Sequence, residues 1–299
     1  MLDDRLTEQR NPRSRGVDRL SPSEIVALIN DEDRTVAAAV GAEAAAIARA
    51  MELARDAFGR GGRLIYVGAG TSGRLGVLDA AEMPPTYRTD PSMVVGVIAG
   101  GHDALVRARE GAEDDPRDGA REMDRLSVGG DDFVLGIATS GTTPFVHGAL
   151  RQALERGART GFLLCTPPSA ELLATHDVVI APLVGPEVIT GSTRMKAGTA
   201  TKLVLNTITT GAMVLMGKVY GNLMVDLQVT CRKLQDRGER ILMTTLGLER
   251  EPARALLKEA GGHVKTAIVM ARRGIDADEA RGLLDESGGR VADVPAAAG

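Results

Sequence analysis

Residues 63–73 read RLIYVGAGTSG. Arg63 to Val67 form a short apolar run with strand character. Gly68-Ala-Gly-Thr-Ser-Gly73 then breaks it, ahead of a helical stretch through Leu75, Leu78 and Ala81. The device returns downstream: Phe133–Ala138 predicts a strand, and TSGTTP (139–144) leads into a helix ending near Glu155. Further strands are predicted at Met93–Ile98, Gly161–Cys165 and Val178–Pro182. A polar helical stretch covers 103–125, and a long helix runs from about Thr193 to Lys218. The strand runs are continuously apolar rather than alternating, and helices separate them. That pattern marks a parallel sheet covered on both faces. The expected fold class is therefore α/β: a three-layer α/β/α domain, doubly wound in the flavodoxin-like manner. Right-handed crossovers would gather the loops after the strands on one sheet edge, where open α/β sheets bind ligands.

Outside this block the chain is helical. Residues 1–20 read as a polar, extended arm. Ser21-Pro22-Ser23-Glu24 has the residues of a helix start: Ser21 as N-cap, Pro22 first, Glu24 third. A second, Ala-rich helix is predicted from about Asp33 to Phe58, stopped by Gly59 and Gly61-Gly62. Residues 237–288 carry no strand signal and read as three or four short helices broken at Gly261-Gly262, Gly274 and Gly288-Gly289, with a frayed tail over 294–299. The domains expected are 1–58 as arm and helices packing on the sheet domain, 59–235 as the ligand-binding domain, and 236–299 as a three-helix, UBA-like appendage.

Composition narrows the function. The 299 residues include 36 Gly but no Trp, 3 Tyr and 4 Phe, too few rings for a base-stacking platform. A net charge of −4 supplies no basic field for nucleic acid or anionic membrane. Cys165 and Cys231 are lone and far apart, which points to two buried thiols in a reduced compartment rather than a disulfide or zinc site. No apolar leader opens the chain, and Leu203–Gly217, broken by Asn206 and three Thr, is too short for a membrane span. A cytoplasmic protein with no membrane or nucleic-acid partner is expected.

The loops carry the chemistry. Gly68-Ala-Gly70-Thr71-Ser72-Gly73 matches a dinucleotide fingerprint, but strand two ends in Gly100-Gly101-His102, with Asp103 only close by, where that reading wants an acid. Hydroxyls beside the N–H groups of a helix start suit a phosphate or sugar; the bland alternative is a plain tight turn. The second loop places Thr139, Ser140, Thr142 and Thr143 around Gly141. Two such loops on one edge favour a phosphosugar over a dinucleotide, which needs only one. A third loop, GPEVITGSTRMKAGT (185–199), adds Glu187, Ser192, Thr193, Arg194 and Lys196. A guanidinium near a helix start is a natural partner for an oxyanion.

With these motifs in view, strand–GAGTSG–helix and strand–TSGTTP–helix resemble the SIS domain of phosphosugar-binding proteins. The chain more specifically resembles the N-acetylmuramic acid 6-phosphate etherases. The matching stretches include LTEQRNP (6–12), EIVALINDED (24–33), VGAGTSGRLGVLDAAEMPPTY (67–87), IAGG (98–101), EGAEDD (110–115), GIATSGTTPFV (136–146), GPEVITGSTRMKAGTATKLVLNTITTGAM (185–213) and GKVYGNLMVDLQ (217–228). The resemblance covers about residues 6–235 in family order, and the helical tail is also a family trait. It implies cleavage of the D-lactyl ether of N-acetylmuramic acid 6-phosphate, in a site shared between paired subunits, without metal or organic cofactor. It assigns Glu82, in LDAAEMPP, as the acid that protonates lactate, and Glu113, in EGAEDD, as the base for the carbon 2 proton.

The residues themselves support Glu82: Ala80, Ala81, Met83 and two Pro surround it, and apolar surroundings should raise its pKa. The alternative is a solvated helix end. Glu113 stands among Glu110, Asp114 and Asp115, and such a run is usually a solvated face. Gly70, Thr71, Ser72, Ser140, Gly141, Thr142, Thr143 and Thr193 are the expected sugar and phosphate contacts. Ser192 and Arg194 are expected to complete the phosphate site or to bind the lactyl carboxylate. Glu187 is expected to hold a sugar hydroxyl, and Lys196 is either a ligand or a helix-surface charge. His102 departs from the acid expected after IAGG and reads as a loop hydrogen-bonder. The arm over 5–19 is expected to reach over a partner subunit. A non-catalytic phosphosugar-binding regulator and an aldose–ketose isomerase are the rival readings; the chain is about half the length of a double-domain regulator.

Overall fold

The computed structural model describes residues 5–227, 229 and 231–295. They divide into two compact units: unit 1 holds the chain to Met83 and Asp90–Thr209, and unit 2 holds Pro84–Thr89 and the chain from Thr210.

Unit 1 starts with three single 3-10 turns, at Leu6–Glu8, Pro12–Ser14 and Val17–Arg19, where an extended arm was expected. Helix α1 (Pro22–Asp33) begins as predicted: the Ser21 N–H and hydroxyl both donate to the Glu24 carboxylate, at 2.8 and 2.6 Å. The single helix expected over 33–58 is instead two, α2 (Val36–Ala42) and α3 (Ala44–Gly59). Its start is displaced at Thr35, whose hydroxyl donates to the Glu32 carbonyl at 2.8 Å, and it is interrupted at Glu43, whose carboxylate leaves to accept the Ala181 N–H at 3.0 Å.

Next come β1 (Leu64–Gly68), α4 (Gly70–Tyr87), β2 (Val94–Ile98), α5 (Pro116–Arg125), β3 (Phe133–Ile137), α6 (Pro144–Glu155), β4 (Arg159–Leu163), α7 (Ala170–Thr175), β5 (Val178–Ile180) and α8 (Lys196–Leu215). The helix expected over 103–125 begins only at Pro116. Asp115 caps that start, and a 3-10 turn at His102–Leu105 precedes it. Strand β4 begins two residues early because Arg159 pairs in register with Phe133. The five strands are all parallel, in the order β2-β1-β3-β4-β5. This is the flavodoxin-like doubly wound order, with its switch point between β1 and β3.

Both faces of the sheet are buried. Ile65, Val67, Val134 and Phe162 join Met123 of α5 and Phe145, Val146 and Leu150 of α6 in one core cluster. On the other face the fully buried Tyr66 donates its hydroxyl to Asp79 of α4 at 2.9 Å. Asp79 also accepts from Asn206 (2.6 Å) and Thr209 (3.2 Å) of α8, which locks α4 against α8. Helices α5 and α6 touch at glycines: a Cβ on Gly119 would meet the Phe145 carbonyl oxygen at 1.9 Å, and one on Gly148 the Pro116 carbonyl oxygen at 1.8 Å.

Unit 2 contains a two-stranded antiparallel hairpin, β6 (Val219–Tyr220) and β7 (Leu223–Met224), and the helices α9 (Arg232–Leu246), α10 (Arg250–Glu259), α11 (Val264–Arg273) and α12 (Ala277–Glu286). The glycine breaks at 261–262, 274 and 288–289 fall where predicted, and Gly247 adds one. Leu242, Leu257, Ile268 and Leu284 form its core. The buried Glu239 is held by Arg250 and Arg254, at 2.9 and 2.8 Å. Cys165 is buried as expected, and burial pushes its thiol up to about 12; Cys231 is exposed, against expectation. Residues 296–299 of the expected frayed tail lie outside the described residues. Among the described residues no helix is long and apolar enough to cross a membrane.

Candidate active site

At the switch point of unit 1 lies a cleft of about 370 Å³. Its walls are the starts of α4 and α6, the segment before α5, the loop before α8 and the N-terminal arm. The first N–H groups of a helix have no intrahelical acceptor, so the starts of α4 and α6 bring donors to this edge. Gly70, Thr71 and Ser72 line it from α4; Ser140, Thr142 and Thr143 line it from the second loop. The Ser140 and Thr142 hydroxyls share a hydrogen bond of 3.1 Å, and the His147 ring nitrogen lies 2.8 Å from the Gly141 carbonyl oxygen, which steadies the loop.

The acidic run 110–115 is sorted by its partners. Asp115 is a helix cap: it accepts the Arg117 N–H at 2.8 Å and pairs with the Arg117 guanidinium at 2.9 Å. Glu113 and Asp114 line the cleft, and Glu110 lines an adjoining one of about 200 Å³. Glu113 is held by its main chain, because its carbonyl accepts the Phe145 N–H at the start of α6, at 3.0 Å. Pro144, at the first position of α6, has no N–H to offer, so Phe145 is the first residue there that can make such a bond.

Other expected contacts are placed elsewhere. Thr193 lines the cleft, whereas Gly141, Ser192 and Arg194 do not. Glu187 is 1% exposed, and its carboxylate accepts the Lys196 and Ala197 N–H groups at 3.1 and 2.9 Å. It thus occupies the start of α8 instead of facing the cleft. Burial raises its pKa against the pull of those two N–H groups. Lys196 is neither a surface charge nor a cleft residue: it is 3% exposed and pairs with Glu32 at 2.6 Å. Glu82 is exposed and does not line the cleft, so its neighbours in sequence do not bury it. The reason is helical geometry. Ser72, Gly73, Gly76, Asp79, Ala80 and Met83 form the buried stripe of α4, and Glu82 points away from that stripe. It also lies twelve residues beyond Gly70, roughly 18 Å along the helix.

Sequence reasoning missed Arg5, Glu8 and Asp114, which line the cleft together with Gly191. The arm packs against its own unit. Arg5 donates to the Thr142 hydroxyl at 3.1 Å, and Arg13 pairs with Glu32 at 2.9 Å. The signal for Glu8 was present in LTEQRNP (6–12), a matching stretch whose residues carried no assigned role. Unit 2 has its own cleft of about 440 Å³, beside Asp226, His263 and Lys265, which contains none of the predicted site residues. Among the described residues no group of three or more His, Cys, Asp or Glu side chains is placed to hold a metal ion.

A parallel sheet in this order, with hydroxyl-bearing loops on both sides of its switch point, defines a SIS-domain protein. Residues 44–154 match the profile of the glucokinase regulatory protein N-terminal SIS domain. Relatives that carry the name N-acetylmuramic acid 6-phosphate etherase include the following three. That from Rhodopirellula baltica is 53% identical over 88% of this chain and 87% of its own length. That from Photorhabdus laumondii is 51% identical over 90% and 89%, and that from Salinibacter ruber 53% identical over 90% and 86%. The chain belongs to the N-acetylmuramic acid 6-phosphate etherase family. Among solved structures, the phosphoheptose isomerase GmhA from Neisseria gonorrhoeae aligns with a TM-score of 0.48 at 19% identity, over 64% of this chain and 98% of that one.

Proposed function

We propose that this chain cleaves the D-lactyl ether of N-acetylmuramic acid 6-phosphate, giving N-acetylglucosamine 6-phosphate and D-lactate. The supporting observation is Glu113: its main chain is fixed to the start of α6, beside the hydroxyl loops of the same cleft. In the open-chain sugar, carbon 1 is an aldehyde and the carbon 2 proton is acidic. Glu113 takes that proton, and the enolate electron pair expels the ether oxygen from carbon 3. Glu82 gives a proton to the departing lactate. Water then adds its oxygen to carbon 3 of the unsaturated aldehyde, and carbon 2 is reprotonated. Positioning and two carboxyl groups suffice for this chemistry. In our reading, Gly70, Thr71, Ser72, Ser140, Thr142 and Thr143 hold the phosphate and sugar.

Glu82 does not line the cleft of its own chain. We therefore read the active form as a cytoplasmic homodimer in which Glu82 of a second copy serves the cleft containing Glu113. The test is direct: incubate the protein with N-acetylmuramic acid 6-phosphate and assay D-lactate. A folded protein that binds the sugar phosphate but releases no lactate would sink the proposal. It would favour a non-catalytic phosphosugar binder, the reading suggested by the match of 44–154 to a regulatory protein's domain.

A further inference from the structure

The reaction above gives no role to the arm, yet the arm faces the same cleft. Single 3-10 turns have little intrinsic stability, so tertiary anchors must hold them. The anchors are specific. Thr7 is 2% exposed and its carbonyl accepts the Gly191 N–H at 3.2 Å. The Asn11 amide donates to the Glu32 carboxylate at 2.8 Å and to the Pro186 carbonyl at 3.1 Å. The Ser14 hydroxyl donates to the Val188 carbonyl at 2.7 Å.

These anchors fix Glu8, the residue after Thr7. Its carboxylate accepts from the Thr7 hydroxyl at 3.3 Å, and Glu8 lines the 370 Å³ cleft together with Glu113, Ser140 and Thr142. Gly191 makes room for it. That glycine has a φ of +74°, and a Cβ there would stand 3.2 Å from the Glu8 carboxylate. Among the described residues Glu8 forms no ion pair, although Arg5, Arg10 and Arg13 are near it in sequence. It is thus a carboxylate with bonding capacity left over, held at the wall of a cleft rich in hydroxyl groups. Such a group repels a phosphate and suits a sugar's hydroxyl or amide hydrogens.

We infer that Glu8 is a substrate-binding residue whose carboxylate accepts hydrogen bonds from the hydroxyl groups of the bound phosphosugar, so that the arm reads the sugar and not its phosphate. This rests on the phosphosugar reading above. The test is calorimetric titration of the full chain and its Glu8→Gln variant with N-acetylglucosamine 6-phosphate and, separately, with inorganic phosphate. A hydrogen bond to a charged acceptor predicts that Glu8→Gln weakens the sugar phosphate about tenfold or more. Inorganic phosphate should bind equally well or better. Gly191→Ala, which crowds the carboxylate, should weaken the sugar phosphate in the same selective way. Unchanged sugar affinity in Glu8→Gln, or equal weakening of both ligands, would overturn the inference. Wild-type binding without lactate release would remove only the etherase reading; no wild-type binding of the sugar phosphate would overturn both.

Discussion

The ammonium of Lys196 lies 2.6 Å from the carboxylate of Glu32, with 3% and 7% of the two side chains exposed. This buried pair joins the first residue of α8 to α1, and through Asn11 it holds the arm. Removing one member of a buried pair leaves a charge with too few partners. Lys196→Met should therefore cost about 3 kcal/mol of stability, measured by urea denaturation. Burial alone would push Glu32 upward, but the hydrogen bonds from Lys196 and Asn11 outweigh it and hold its carboxyl below the usual range. The group therefore contributes stability that is present above its unfolded pKa and lost as pH falls through the lowered folded value. Below about pH 4.3 the wild type should lose stability more steeply than Lys196→Met.

The two carboxylates proposed for the reaction, Glu82 and Glu113, should separate by function. Glu82→Gln is expected to abolish lactate release while leaving phosphosugar binding intact. Glu113→Gln should abolish solvent deuterium exchange at carbon 2; exchange that survives would move the base elsewhere.

A site shared between copies makes a further demand. When the inactive Glu82→Gln and Glu113→Gln chains are mixed and allowed to exchange subunits, half of the dimers are hybrids, each with one intact site. Activity should return to about a quarter of wild type. A mixture that stays inactive despite verified exchange would place both carboxylates in one chain's site.

Asp79 gathers Tyr66, Asn206 and Thr209 around one buried carboxylate. Asp79→Ala strands three polar groups and should cost about 3 kcal/mol. Because Tyr66 is one of them, Tyr66→Phe should add little to Asp79→Ala, and a double-mutant cycle on thermal unfolding measures that shortfall.

Gly148 lets α6 approach the backbone of α5, where an added Cβ would stand 1.8 Å from the Pro116 carbonyl oxygen. Gly148→Ala should lower stability by about 3 kcal/mol, again read from denaturation, because backbone must shift to admit the methyl.

The architecture was legible because its signals are local. Continuous apolar runs marked all five parallel strands, and Pro144 marked the start of α6 to the residue. At two misplaced boundaries a distant partner had intervened: Glu43 turns away to Ala181, and Arg159 pairs with the edge of β3. Glycine serves strand-end loops such as GAGTSG (68–73) and helix breaks such as Gly261-Gly262. Gly119 and Gly148 add a third, helix–helix contact, which no single-chain pattern reveals.

By itself the sequence determined the sheet, its two hydroxyl loops and the residues that could carry acid–base chemistry, since each depends on residues a few positions apart. Only the tertiary structure decided which of them meet. Glu113 and Ser140 share a cleft with Glu8, which was overlooked; Glu187 and Lys196 are spent inside the protein; Glu82 points elsewhere along α4. Those outcomes turn on helix azimuth and on partners more than a hundred residues away, such as Glu32 for Lys196, and neither is written in local spacing.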